Sequence, residues 1–180
     1  AASFRNLASI SSALTAVAES LDYRRRPRVV TTSLDFPTVA YQWLAKARDG
    51  VEVTIVPSPD GTTVPVDLLA REIDERTAMV ATSHVFFTTG AIQDLAALSA
   101  ACQRAGPLLF VDGYQGAGQV PVDVAATGVD FYAAGGLKWL LGGSGIAFLY
   151  SNPATTGHLA PRTAGWFGHE APFDFNMESL

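Results

Sequence analysis

The sequence predicts an α/β fold, a three-layer arrangement of a mostly parallel sheet with helices on both faces. Three observations carry this. Short β-branched or apolar runs alternate with segments of helical period. The connections between them are short and punctuated by Gly and Pro. The run Leu108-Leu109-Phe110-Val111 is apolar without alternation, the pattern of a strand buried on both sides.

Each element has its own signal. Ser3 reads as the N-cap of a first helix, because Phe4, Leu7, Ile10, Leu14, Val17 and Leu21 follow at helical spacing. Arg28-Val29-Val30-Thr31-Thr32 reads as a strand. Residues from Thr38 to about Arg48 read as a helix ended by Gly50. Residues 51–56 form a β-branched strand, and 57–63 a loop. A helix over 66–73 leads to a strand over 78–82. Ile92, Leu95, Leu98 and Cys102 mark a helix closed by Gly106, which feeds the buried strand at 108. Residues 131–134 and 146–150 are two further short strands. Right-handed crossovers then place helices on both faces.

Residues 1–150 show no internal repeat and no domain boundary. After Ser151-Asn152-Pro153 the strand–helix rhythm gives way to a Gly, Pro and aromatic segment, 151–180. The opening at Ala1-Ala2-Ser3 and the polar tail at 177–180 predict a segment of a longer protein that lacks its C-terminal small domain.

Composition excludes several function classes. The 180 residues carry 12 positive and 17 negative side chains, a net −5 that argues against electrostatic nucleic-acid binding. The one basic run, Arg24-Arg25-Arg26, is cut off at once by Pro27 and reads as a solvated loop. No apolar stretch approaches the ~18–20 residues a membrane span needs, and no signal-peptide pattern is present. The single Cys102 excludes an internal disulfide and any multi-cysteine metal site. His158 and His169 lack ligand companions, so no metal is expected. The expected location is cytoplasmic.

In open α/β sheets ligands bind beyond the carboxyl ends of the strands. Three candidates stand there. Asp112 ends the buried strand and runs into Gly113-Tyr114-Gln115-Gly116, where it either ties down the turn or holds a cation in the crevice. Lys138 lies in the nearly apolar, Gly-rich stretch 135–143, where an amine must snorkel to solvent, meet an anion or lose its charge. A depressed amine is how Schiff-base lysines become nucleophiles. Phe36 follows a strand and either packs in the core or covers a planar ligand. Together they supply what a pyridine aldehyde cofactor needs: an amine for the imine, a carboxylate for the ring nitrogen, and a ring that fixes the plane.

The chain resembles the class V aminotransferase family of pyridoxal-phosphate (PLP) enzymes, which includes cysteine desulfurases and kynureninases. The resemblance rests on residues 83–94 (SHVFFTTGAIQD), 111–123 (VDGYQGAGQVPVD) and the Lys138 segment, in the family's order and spacing. It covers the cofactor-binding large domain and implies pyridoxal 5′-phosphate as cofactor. By it, Lys138 matches the Schiff-base lysine and Asp112 the carboxylate paired with the pyridine nitrogen. Gln115 falls where the family meets the phenolic oxygen, and Phe36 where it stacks on the ring. Ser3, at a helix N-terminus, suits the phosphate, and Thr88 is a further phosphate or ring candidate. Phe36-Pro37-Thr38 and Gly165-Trp166-Phe167-Gly168-His169 look like the kynureninase branch. In that branch the tryptophan, here Trp166, reaches the phosphate of the neighbouring subunit, which implies a homodimer with sites at the interface.

The pattern also departs from both branches. Leu137 stands where kynureninases have tyrosine and desulfurases histidine, Gly135 where desulfurases have a hydroxyl residue, and Val39 where kynureninases have aspartate. Cys102 reads as an inert core thiol. His84 either packs near the site or is a satisfied core histidine.

The resulting expectation is an enzyme that acts on an amino-acid substrate through Lys138. The reaction is transamination, β-elimination, epimerisation or hydrolytic C–C cleavage, with the substrate-clamping arginine outside this segment. The alternative of another class is a PLP-fold domain that binds without turnover. A nicotinamide enzyme fails on context, since Gly142-Gly143-Ser144-Gly145 precedes a strand instead of following one and opening a helix.

Overall fold

A computed structural model describes residues 3–160, 162, 163, 165 and 169–178. Seven strands join one sheet: β1 (Ser3–Leu7), β2 (Arg28–Thr32), β3 (Glu52–Val56), β4 (Thr77–Ser83), β5 (Leu108–Asp112), β6 (Phe131–Gly135) and β7 (Ala147–Ser151). Their spatial order is β1-β7-β6-β5-β4-β2-β3. Neighbours from β3 to β6 pair in parallel, whereas β7 runs antiparallel to both β6 and β1. The expected mostly parallel sheet is therefore present.

The helices are α1 (Ile10–Ser20), α2 (Pro37–Leu44), α3 (Val66–Arg71), α4 (Leu95–Ala105), α5 (Val124–Thr127) and α6 (Pro153–Thr156). They cover both faces because successive strand residues point to opposite sides. Val29, Met79, Phe110 and Ala133 meet Leu14 and Val17 of α1 and Trp43 of α2. Val30, Val80, Leu109, Val111 and Tyr132 meet Leu69 of α3 and Leu98 of α4. Each fully buried Leu or Val here contributes roughly 1.5–3 kcal/mol of apolar transfer. Among the described residues no helix is long and apolar enough to cross a membrane.

The first element corrects the sequence reading. Ser3 does not cap a helix; it lies in a strand, opposite Ser151 of β7. The reason is tertiary. Phe4 stands opposite Tyr150 and packs against the rings of Phe148 and Tyr150, with centroids 6.1 and 5.4 Å away. That packing and a full ladder of backbone pairs override the helical period. Helix α1 starts later, at an extended Ser9 whose Oγ accepts from the Ser12 N–H at 3.1 Å.

Other boundaries moved for local reasons. Helix α4 begins after Asp94, whose carboxylate accepts from the Ala97 N–H, while Ile92 forms a bridge with Val85. Helix α2 ends at Leu44, and a 3₁₀ turn over Ala47–Asp49 carries the chain to Gly50 at φ +86°. The short helices α5 and α6, each four residues, were not expected from the sequence, although Asp123 and Asn152 cap them.

Candidate active site

The carboxyl ends of β2, β4, β5 and β6 come together, as the parallel order requires. An open cleft of about 320 Å³ lies there, lined by Phe36, Ser83, Val85, Phe87, Asp112, Tyr114, Gln115 and Lys138. A second cleft of about 200 Å³ shares Phe36, Asp112 and Tyr114 and reaches Ser9 and Ser11 at the start of α1.

Asp112 is buried at the end of β5. Its Oδ1 accepts from the Tyr114 N–H at 2.9 Å, so the turn-tying reading is true of one oxygen. The other oxygen accepts no hydrogen bond among the described residues, and the residue lines both clefts. Burial pushes this carboxyl up to about 6; the Tyr114 hydrogen bond opposes that, the nearby Asp35 charge adds to it, and the Lys138 charge opposes it.

Lys138 is half-buried and forms no ion pair among the described residues. Its Nζ lies 4.6 Å from the centre of the Tyr114 ring and 6.0 Å from that of Phe36. The turn after β6 delivers it: Gly142 N–H donates to Gly136 O, and Gly136 N–H to Ile146 O. Gly135 is glycine because a Cβ there would sit 2.0 Å from Tyr114 Cε2. The missing hydroxyl side chain at 135 thus makes room for the ring beneath the amine.

Gln115 reaches the same rim, where its Oε1 accepts from Trp139 Nε1 at 3.0 Å. Phe36 stands immediately before Pro37, the first residue of α2, and meets Phe87 edge-on at 5.2 Å between centroids. Lys138, Asp112, Gln115 and Phe36 are therefore brought together.

Ser3 and Thr88 are not. Ser3 lies level with Ser151 and Phe131, at the opposite end of the strands from Asp112 and Gly135. Thr88 occupies an exposed turn and lines neither cleft; its neighbour Phe87 does. Trp166 lies outside the described residues. Ser9 takes the helix N-cap role expected of Ser3, with the first turn of α1 behind it. Its signal was the cluster Ser9, Ser11, Ser12, since serine favours caps over helix interiors.

Beneath the turn, His84 Nδ1 and Tyr132 OH form a 3.1 Å hydrogen bond. Burial lowers the His84 pKa, which favours the neutral ring. A Cβ at Gly113 would meet Tyr132 at 2.1 Å, and one at Gly116 would meet His84 Nδ1 at 2.6 Å. His84 is therefore a satisfied core histidine that seats the turn after Asp112. Cys102 is buried on α4, where burial and, after it, the Asp130 charge push its thiol up to about 12.

The family model for Aminotransferase class-V matches residues 8–170. The chain belongs to the class-V aminotransferase family. An uncharacterized aminotransferase of Bacillus subtilis strain 168 is 42% identical over 166 residues, covering 92% of this chain and 44% of that protein. Kynureninase of Pseudomonas fluorescens is 34% identical, covering 93% and 39%. Among solved structures, a complex of the cystine C-S lyase C-DES with its product cysteine persulfide superposes with TM-score 0.83 at 27% identity, covering 91% of this chain and 45% of that one. The class-V fold, a mostly parallel sheet with flanking helices, is thus shared with these proteins. The chain spans under half the length of the curated relatives it matches.

Proposed function

We propose that the protein is a PLP-dependent enzyme acting on an amino acid, with this chain supplying most of the cofactor-binding large domain. The observation that carries the reading is the convergence on a single cleft of a buried carboxylate, Asp112, and an amine, Lys138, with one Asp112 oxygen and the amine free of hydrogen-bond and ion-pair partners among the described residues. The donor set fits the group: an acid for the ring nitrogen, an amine for the aldehyde, and an exposed aromatic edge for the ring face.

Bound there, pyridoxal 5′-phosphate would supply an electron-withdrawing ring to stabilise charge at a substrate α-carbon. Lys138 Nζ would hold the aldehyde carbon, and as a free amine it would move a proton at the substrate Cα. Asp112 would keep the ring nitrogen protonated. Phe36 would cover one face of the ring, and Gln115 Nε2 would donate toward the phenolic oxygen. Ser9 and the first turn of α1 would take the phosphate in place of Ser3. Thr88 and Trp166 are not needed for this assignment.

We place the site in a homodimer. Leu137, Trp139, Leu140, Leu141 and Ile146 are exposed beside the cleft, an apolar edge that a second copy would cover. The single buried thiol suits a reducing compartment, and we assign the protein to the cytoplasm. Adding pyridoxal 5′-phosphate to the full-length protein tests the reading: a visible band and exchange of the α-proton with an amino-acid panel support turnover. A band without exchange favours a binding domain, and no band ends the proposal.

A further inference from the structure

One buried carboxylate has no part in the assignment above. Asp35 is only 7% exposed and sits just past β2, one residue before Phe36. Its Oδ2 accepts from Thr31 Oγ1 at 3.0 Å, Thr32 N–H at 2.8 Å and Thr32 Oγ1 at 2.8 Å. Its Oδ1 accepts from Thr82 Oγ1 at 3.1 Å and Ser83 N–H at 2.5 Å. Five donors thus converge on one side chain, and the two backbone N–H groups cannot reverse roles. Ser83 pairs with Asp112 in the β4–β5 ladder.

We propose that Asp35 is a positioning residue of the cleft: it clamps the ends of β2 and β4, and so fixes the Phe36 ring on one side and the Ser83–Asp112 pair on the other. The proposal rests on the cofactor reading for its consequence, but not for the clamp itself. The clamp needs an acceptor on both oxygens. An amide in place of the carboxylate must turn its NH₂ toward one of the two backbone donors and leave that N–H unmet. The carboxylate is also felt at Asp112, where its charge opposes ionisation.

The test compares full-length wild type, Asp35→Ala and Asp35→Asn. Amide hydrogen exchange is followed over residues 30–38 and 80–86, and added pyridoxal 5′-phosphate is followed by its Kd and its visible circular dichroism. In Asp35→Ala, exchange speeds and Kd rises by about tenfold each, and the dichroic band changes shape. Asp35→Asn moves the same way by about threefold. Faster exchange with an unaltered Kd and band overturns the proposal, because Asp35 would then only hold the fold. Unaltered exchange in either folded variant also overturns it. If Asp35→Ala does not fold, Asp35→Asn decides. Lys138→Ala runs alongside: a surviving covalent band there, or no binding by wild type, sinks the cofactor reading, and exchange alone then decides the clamp.

Discussion

Trp139 Nε1 donates to Gln115 Oε1 at 3.0 Å, and that bond decides which end of the Gln115 amide is left for the cleft. An indole N–H only donates, so the glutamine oxygen must face it and the NH₂ points elsewhere. The bond also ties the turn after Asp112 to the loop that carries Lys138.

Trp139→Phe keeps an aromatic ring, smaller than the indole, and deletes the donor. The Gln115 amide is then free to rotate, and affinity for pyridoxal 5′-phosphate falls about two- to tenfold, the worth of one hydrogen bond. A fluorescence titration reads it. No change would detach Gln115 from the cofactor.

Lys138→Ala is expected to abolish the visible absorbance of the cofactor-loaded full-length protein. Lys138→Arg keeps the charge over Tyr114 and still loses the band, since a guanidinium cannot lose its proton to attack a carbonyl. A spectrum of each variant after gel filtration gives the answer, and a band retained by both removes Lys138 from the role.

Asp112 makes stability depend on pH. Its carboxyl ordinarily titrates near 3.8 and in the fold at about 6, so the folded chain holds the proton more tightly. The contribution is complete below about pH 4 and is lost as pH rises through about 6, roughly 3 kcal/mol at full extent. Without cofactor, Asp112→Asn is therefore more stable than wild type at pH 8, and the advantage disappears by pH 4. Thermal unfolding across that range checks it. On the proposed reading the same substitution is expected to weaken cofactor function, because it removes the acid assigned to the ring nitrogen.

Gly135→Ser restores the hydroxyl residue of the desulfurase pattern but drives a Cβ into Tyr114. Overpacking of this kind costs about 1–3 kcal/mol. Adding Tyr114→Ala relieves the clash, so the two substitutions are strongly non-additive. A double-mutant cycle by chemical denaturation measures the coupling, and additive costs would mean that the ring does not occupy that space.

Cys102 is expected to resist thiol reagents at pH 8 until the protein unfolds. Burial and the Asp130 charge push the thiol up to about 12, so almost no thiolate exists in the fold. Labelling in native buffer and in denaturant compares the two rates; fast native labelling contradicts the buried placement.

The layered α/β architecture was legible in the chain because its signals are local. An apolar run such as 108–111 records burial on both faces, and Gly50 and Gly106 mark helix ends through left-handed φ values of +86° and +93°. Asp112 stood out for the same reason, as a carboxylate at the end of an apolar run. Lys138 stood out as an amine in an apolar, Gly-rich stretch, yet most of that stretch is exposed in the fold and the lysine only half-buried. Ser3 misled because its helical spacing is real, yet Phe4 finds Tyr150 across nearly the whole chain. Asp35 was invisible because two of its five donors lie 47 and 48 residues away. Tyr114 and Gly135 likewise explain each other only once β5 and β6 lie side by side. Spacing along a sequence encodes which face a residue takes. Which residue meets it there is decided by strand order, and strand order is a property of the folded sheet.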